Sequence, residues 1–66
     1  MAYIKNYPDL IGKNVRLTVI KASISGYFEV GTIVRIVDKD ATRGYAFEDE
    51  QGNRVIEAGF SGFEII

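Results

Sequence analysis

The fold class is indicated by Gly26-Tyr-Phe-Glu-Val-Gly-Thr-Ile-Val-Arg-Ile-Val37, near the middle of this 66-residue chain. Valine, isoleucine, threonine and aromatic side chains suit a pleated, half-buried surface, so most of these residues are expected to form a strand. Gly26 and Gly31 bracket the bulky pair Tyr27 and Phe28, and glycine lets the backbone turn there. The pattern therefore predicts a loop that leads into a long strand.

Further strand patterns lie on both sides of this segment. Val15, Leu17 and Val19 alternate with polar residues, which is the period-2 pattern of a strand with one buried face. Residues 30–38 carry apolar side chains on both faces, which is typical of a central strand or of one that bends between two sheets. A short last strand is expected at residues 63–65.

A hairpin is predicted between Tyr45 and Ala58. Asp49 and Gly52 occupy the first and fourth positions of a type I turn, and Gly52 can adopt the left-handed conformation of a bulge. The turn sets the register of the two strands, which pairs Glu48 with Arg54, Phe47 with Val55, Ala46 with Ile56 and Tyr45 with Glu57.

The remaining segments are expected to be connections. Residues 8–12 are predicted to form a tight turn or one turn of helix, because proline suits its first position and glycine its exit. Residues 21–29 and 38–43 are predicted to be loops. Five short strands joined by unequal loops indicate an all-β fold, either a small five-stranded barrel or two packed three-stranded sheets. Residues 1–13 are assigned to an N-terminal arm and turn, and residues 14–66 to one barrel domain.

The composition excludes several function classes. Without cysteine there is no disulfide, thiol nucleophile or thiolate metal site, and without histidine the commonest general base is missing. Ser23, Ser25 and Ser61 could then act as nucleophiles only with a lysine or a terminal amine as the base, and they are interpreted as ordinary loop residues. Asp38-x-Asp40-x-Thr42 begins like a calcium loop, but Arg43 stands where such a loop needs glycine. No catalytic residue, metal or cofactor is expected, and the protein is not expected to be an enzyme.

Charge and hydropathy limit the partners. The formal net charge is −1, which argues against avid binding to phosphate backbones through many lysine and arginine contacts. No apolar run approaches the roughly 20 residues that span a bilayer, and the first residues lack the apolar core of a secretion signal. A cytoplasmic protein without a membrane partner is expected.

Four segments resemble the SH3-like barrel superfold, and within it the KOW/Tudor-like branch. They are Ile11-Gly-Lys-Asn-Val-Arg-Leu17, Gly26-Tyr-Phe-Glu-Val-Gly-Thr-Ile-Val34, Tyr45-Ala-Phe-Glu-Asp-Glu-Gln-Gly52 and Phe63-Glu-Ile-Ile66. The chain is also similar in style to small uncharacterised SH3-like proteins of bacteriophages and prophages. The resemblance implies a five-stranded barrel that binds a partner. Since the chain has no tryptophan and its 21–29 loop only one acid, recognition of proline-rich peptides is not expected.

Aromatic residues are the candidates for a protein-binding surface. Tyr27 and Phe60 lie in glycine-flanked loops, and Tyr45 starts the predicted hairpin. Tyrosine is common at interfaces because it combines a large rigid area with a polar tip. We therefore expect Tyr27, Tyr45 and Phe60 to be exposed and to contact a partner protein. Phe28, Phe47 and Phe63 have apolar neighbours at strand spacing, so they are assigned to the core.

A basic set on the first two long strands is the candidate for the alternative, a nucleic-acid interface. It comprises Lys13, Arg16, Lys21 and Arg35. If the two strands are adjacent, Arg16 and Arg35 could form a patch the size of a phosphate, and Tyr27 could stack on a base.

Three functions are thus compatible with the sequence. The first is a non-enzymatic protein-interaction module, a phage or prophage factor that binds and modulates or inhibits a host protein. The second is a KOW-like nucleic-acid-binding module. The third is a homo-oligomeric structural protein, because a short C-terminal strand leaves backbone pairing groups open.

Overall fold

The computed structural model describes residues 8–24 and 26–66, and all the regular elements in these ranges are strands. They are β1 (Asn14–Leu17), β2 (Lys21–Ser23), β3 (Gly26–Phe28), β4 (Ile33–Asp40), β5 (Gly44–Glu48), β6 (Arg54–Val55) and β7 (Phe63–Ile65). The all-β prediction is therefore confirmed. Residues 8–12 contain a tight turn rather than a turn of helix. The turn is closed by a 3.0 Å hydrogen bond that the Lys13 amide donates to the Leu10 carbonyl. The first seven residues of the predicted N-terminal arm lie outside the described ranges.

Five strands form one antiparallel sheet in the order β6-β5-β4-β1-β7. β4 lies in its centre, as its apolar pattern predicts, and a bulge at Val37 interrupts its pairing with β5. Only Val34 and Ile36 are buried on this strand, whereas Ile33 is half exposed, since the sheet is covered on one face. No closed barrel is found among the described strands, because β6 and β7 are the two edges of the sheet.

The segment predicted as a loop at residues 21–29 instead forms a second sheet, the hairpin β2–β3. Lys21 pairs with Phe28 and Ala22 with Tyr27. The loop prediction is wrong because tertiary packing outweighs the weak strand propensity of this serine- and glycine-containing segment. The side chain of Phe28 is buried in the core and holds the hairpin against the larger sheet.

The core lies on the inner face of the five-stranded sheet. Its aromatic members pack edge to face: the ring of Phe63 lies 5.6 Å from the rings of both Tyr45 and Phe47. This geometry is favourable for aromatic pairs. Phe28 is the third buried aromatic residue, beside Tyr45 and Phe47. The aliphatic members of the buried cluster are Val15, Leu17, Val34, Ile36 and Val55. Of the three phenylalanines assigned to the core, Phe28 and Phe47 are buried and Phe63 packs partly buried against it.

The predicted register of the β5–β6 hairpin is confirmed near its turn. Phe47 pairs with Val55, and Glu48 with Arg54. The two outer pairs are wrong, because the chain turns at Glu57, which has a φ of 55°. The backbone of Tyr45 consequently bonds to residues 58 and 59 rather than to Glu57, donating to the Gly59 carbonyl at 2.9 Å.

Candidate interaction surface

The outer side of the β2–β3 hairpin is an exposed apolar surface. Side chains alternate across a strand, so Phe28 points into the core while its neighbour Tyr27 points away from it. Tyr27 is 56% exposed and pairs with Ala22. Ile20 and Ile24 lie two residues before and two residues after Ala22, at the spacing of side chains on one face of a strand. They are 54% and 106% exposed. These four residues, Ile20, Ala22, Ile24 and Tyr27, are called the hairpin face below.

Contacts with the segment from Arg54 to Ala58 attach the β2–β3 hairpin to the rest of the protein. Gly26 lies against the backbone of β6, where a Cβ atom would approach the Arg54 carbonyl oxygen to 2.5 Å. On the other strand, Lys21 donates a 2.6 Å hydrogen bond to the Ala58 carbonyl. Partial burial lowers the pKa of the Lys21 ammonium group. Because this cation is directed at the Ala58 carbonyl, the hairpin face itself consists of apolar side chains and the Tyr27 hydroxyl.

Tyr45 does not belong to this surface, contrary to the sequence prediction. Its side chain is 1% exposed, and its hydroxyl donates a 2.7 Å hydrogen bond to the Pro8 carbonyl. The N-terminal segment that supplies this acceptor lies 37 residues away in the chain. A buried tyrosine normally has such a partner for its hydroxyl. Tyr45 is therefore a core residue, and its expected exposure is wrong.

Phe60 is also more enclosed than predicted. Its ring packs edge to face on Tyr45, with 5.4 Å between the ring centroids. It is one of the partly buried side chains that cover the core. The structure therefore brings Phe60 to Tyr45 and not to Tyr27. Of the three aromatic candidates, only Tyr27 lies on an exposed apolar surface.

Sequence reasoning missed three members of the hairpin face, Ile20, Ala22 and Ile24. The signal was available as the alternation Ile20-x-Ala22-x-Ile24, which has the period of a strand. The surrounding serines and glycine favoured a loop instead. Only the burial of Phe28 shows that the opposite side of this strand pair faces outward.

The four basic candidates do not form one patch. Arg16 is paired with Glu64 at 3.1 Å. Arg35 lies diagonally from Arg16 in the register and is flanked by Asn14 and Glu48. Lys21 belongs to the separate hairpin. Exposed Lys13 precedes β1.

The outer face of the sheet consequently interleaves cations with acids. Arg54 donates to Glu48 at 2.7 Å, and Glu48 lies beside Arg35 in the register. Phosphate binding gains its affinity from cations that release condensed counterions. Cations with a carboxylate in the next strand are poorly suited to that role. A shallow depression of about 820 Å³ on this face also mixes apolar Ile33, Val37 and Ile66 with Arg35 and Glu50.

Asp40 of the calcium-like sequence and Asp49 of the predicted hairpin turn accept hydrogen bonds within their own turns. The Asp40 carboxylate accepts hydrogen bonds from the Thr42 amide, the Thr42 hydroxyl and the Arg43 amide at 2.9–3.0 Å. Asp49 accepts from the amides of Gln51 and Asn53 in the β5–β6 turn. Within residues 8–24 and 26–66, no three acidic side chains converge as metal ligands would. The calcium-like sequence at residues 38–42 thus serves its own turn.

These turns predict a specific acid sensitivity. The hydrogen bond from the Thr42 amide is the main cause of a lowered pKa for Asp40, and that from the Asn53 side chain lowers the pKa of Asp49. A carboxylate whose pKa is lower in the folded than in the unfolded state stabilises the fold, and this contribution is complete above the ordinary pKa of 3.8. The contribution is lost as the pH falls through the folded-state pKa. We expect the thermal midpoint to decrease as the pH is lowered below about 3.8. The decrease should be less steep in the double variant Asp40→Asn/Asp49→Asn. Equal slopes in circular dichroism melts of the two proteins would contradict this assignment.

No family model, curated protein or solved structure matches this chain. The described residues contain no helix of the length and hydropathy needed to cross a membrane.

Proposed function

We propose that the protein is a non-enzymatic interaction module that binds another protein through the hairpin face. The observation that carries the proposal is the exposure of Tyr27 opposite Ala22, on a hairpin whose other side is buried in the core through Phe28. Removing apolar surface from water contributes about 25 cal/mol per Å². Tyrosine and isoleucine held on a rigid base also lose little conformational freedom on binding.

The chemistry of the hairpin face defines the partner surface. Ile20, Ala22 and Ile24 offer only apolar contact, whereas Tyr27 adds a hydroxyl that can donate or accept one hydrogen bond. A complementary partner surface is an apolar pocket or groove with a polar group near its edge. Such aromatic anchors in desolvated pockets carry much of the energy of protein interfaces.

The fold is proposed to be an SH3-like barrel variant. The strand order, the bulge in β4 and the insertion of the β2–β3 hairpin between β1 and β4 support this assignment. By resemblance to small SH3-like proteins of phages and prophages, the partner is proposed to be a host protein that the module modulates or inhibits. Because a fold can host many functions, the proposed binding surface rests on the hairpin itself.

Replacing Tyr27 by alanine tests the proposal. We expect Tyr27→Ala to weaken binding of the host partner at least about 30-fold, because a central aromatic anchor contributes about 2 kcal/mol or more. The thermal midpoint should stay nearly unchanged, since the side chain is more than half exposed. The partner would be captured from nuclease-treated bacterial host lysate by the immobilised wild-type protein, and its affinity then measured by titration calorimetry.

A matched control is Ile33→Ala, which truncates a half-exposed apolar side chain on the outer face of the five-stranded sheet. This variant should bind the captured partner like the wild type. The proposal is wrong if Tyr27→Ala binds as tightly as the wild type, or if both variants lose binding equally. Capture that disappears on nuclease treatment and weakens steeply with salt would favour the nucleic-acid alternative instead.

A further inference from the structure

The two edges of the five-stranded sheet differ in how they are protected. At the β6 edge, the register directs the backbone carbonyl of Arg54 away from β5. Gly26 of the β2–β3 hairpin lies directly against this carbonyl. The hairpin thus covers the β6 edge, which is one way in which proteins prevent strand edges from pairing with other chains.

The β7 edge has a different arrangement. Gly62 accepts a hydrogen bond from the Thr18 amide, and Ile66 donates one to the Asn14 carbonyl. Because inward and outward groups alternate along an antiparallel strand, the amides and carbonyls of Phe63 and Ile65 point away from β1. Within residues 8–24 and 26–66, β7 has β1 as its only strand neighbour.

β7 is short and carries one charge, Glu64, but it lacks other devices that discourage edge pairing. Its sequence Phe63-Glu-Ile65 contains neither lysine nor proline, and its pairing with β1 shows no bulge. Ile65 and the following Ile66 are each 54% exposed. An edge with open pairing groups and exposed apolar side chains is a template for another strand.

We propose that β7 pairs antiparallel with β7 of a second copy of this chain, about a twofold axis at Glu64. This register sets Phe63 opposite Ile65 of the second copy, and both residues direct their backbone groups outward. About four backbone hydrogen bonds can then form across the axis. The side chains of Phe63 and Ile65 meet on the inner face of the joined sheet, which covers part of the exposed Ile65.

A second copy fits this edge because the edge is complementary to itself. The same two residues supply the donors and acceptors on both sides, as a twofold interface requires. The two Glu64 side chains meet at the axis, but each already pairs with its own Arg16 at 3.1 Å. The row Arg16–Glu64–Glu64–Arg16 across the axis is therefore neutral overall.

The size of the contact sets its strength. A three-residue strand pair covers much less than the roughly 1,200 Å² that a stable interface buries. The dimer is accordingly a weak, reversible species that forms at high protein concentration. It uses a surface separate from the hairpin face, so its failure would leave the proposed partner binding unaffected.

The test compares Ile65→Pro with Ile65→Ala in the full chain by sedimentation velocity. Proline removes the outward amide of Ile65, which the monomer does not need, and it is tolerated at strand edges for that reason. We expect the wild type to shift from monomer towards dimer as its concentration rises to about 1 mM, and Ile65→Ala to do so more weakly. Ile65→Pro should stay monomeric. A wild type that is monomeric throughout, or an Ile65→Pro protein that dimerises equally, would overturn the proposal.

Amide hydrogen exchange in the wild type supplies a readout that does not depend on a folded proline variant. The amides of Phe63 and Ile65 should become more protected as the concentration rises, whereas the Glu64 amide, directed at β1, should not change. Protection of Phe63 and Ile65 at all concentrations in a monomer would mean that another segment of the same chain covers the edge, and it too would overturn the proposal.

Discussion

Gly44→Ala is expected to destabilise the fold by more than about 4 kcal/mol, which is a large part of the stability of so short a chain. Gly44 begins β5 with a φ of +108° and is buried. A Cβ atom at this position would overlap the nitrogen, Cα and oxygen atoms of Gly59. All three are backbone atoms, so no side-chain rotation can relieve the contact.

The expected loss exceeds about 4 kcal/mol, because strain from the left-handed backbone adds to the clash. A chain of this length has a total stability of about 3–10 kcal/mol. Moving Gly59 away would also break the hydrogen bonds that join it to Tyr45 and Arg43, at 2.9 and 3.0 Å. Far-ultraviolet circular dichroism and urea titration would measure the effect.

Gly52→Ala is the matched control. Gly52 also has a positive φ, +85°, but a Cβ atom there would meet nothing within 4 Å. Its replacement should cost only the left-handed strain, about 1–2 kcal/mol. Similar urea midpoints for the two variants would mean that the close approach of Gly44 and Gly59 is not needed for folding.

Tyr45→Ala is expected to have the second largest effect, a loss of about 3–5 kcal/mol, as is typical when a large buried aromatic side chain is truncated. Tyr45 contacts the rings of Phe60 and Phe63, and its hydroxyl holds the Pro8 carbonyl. The substitution therefore opens a cavity and releases the segment that crosses this end of the core. Thermal and urea denaturation would report the loss.

Two further variants separate the causes. Tyr45→Phe keeps the ring and removes only the hydrogen bond, so it should cost about 1 kcal/mol. Tyr27→Ala makes the same truncation as Tyr45→Ala at an exposed position, and we expect a change within about 0.5 kcal/mol. If Tyr27→Ala destabilised the fold as much as Tyr45→Ala, Tyr27 would be part of the core and could not serve as the binding anchor.

The local features of the fold could be predicted from short-range patterns. The alternation around Val15 and Leu17 predicts β1 and its buried face, and the turn from Asp49 to Gly52 sets the pairing of Phe47 with Val55. Both depend on residues close together in the chain. The period of a strand and the φ that a turn requires act within a few residues, which is why the sequence is sufficient to predict them.

The candidate site was predicted only in part, because exposure depends on contacts that are distant in sequence. Tyr27 and Tyr45 both lie in β-forming segments beside a glycine, yet one is exposed and the other buried. Tyr45 is covered by Phe60 and Phe63 and bonded to Pro8, and the hairpin that exposes Tyr27 forms because Phe28 reaches the core. Short-range pattern selects which side chains share a face, but only the packing of remote segments decides which face is covered.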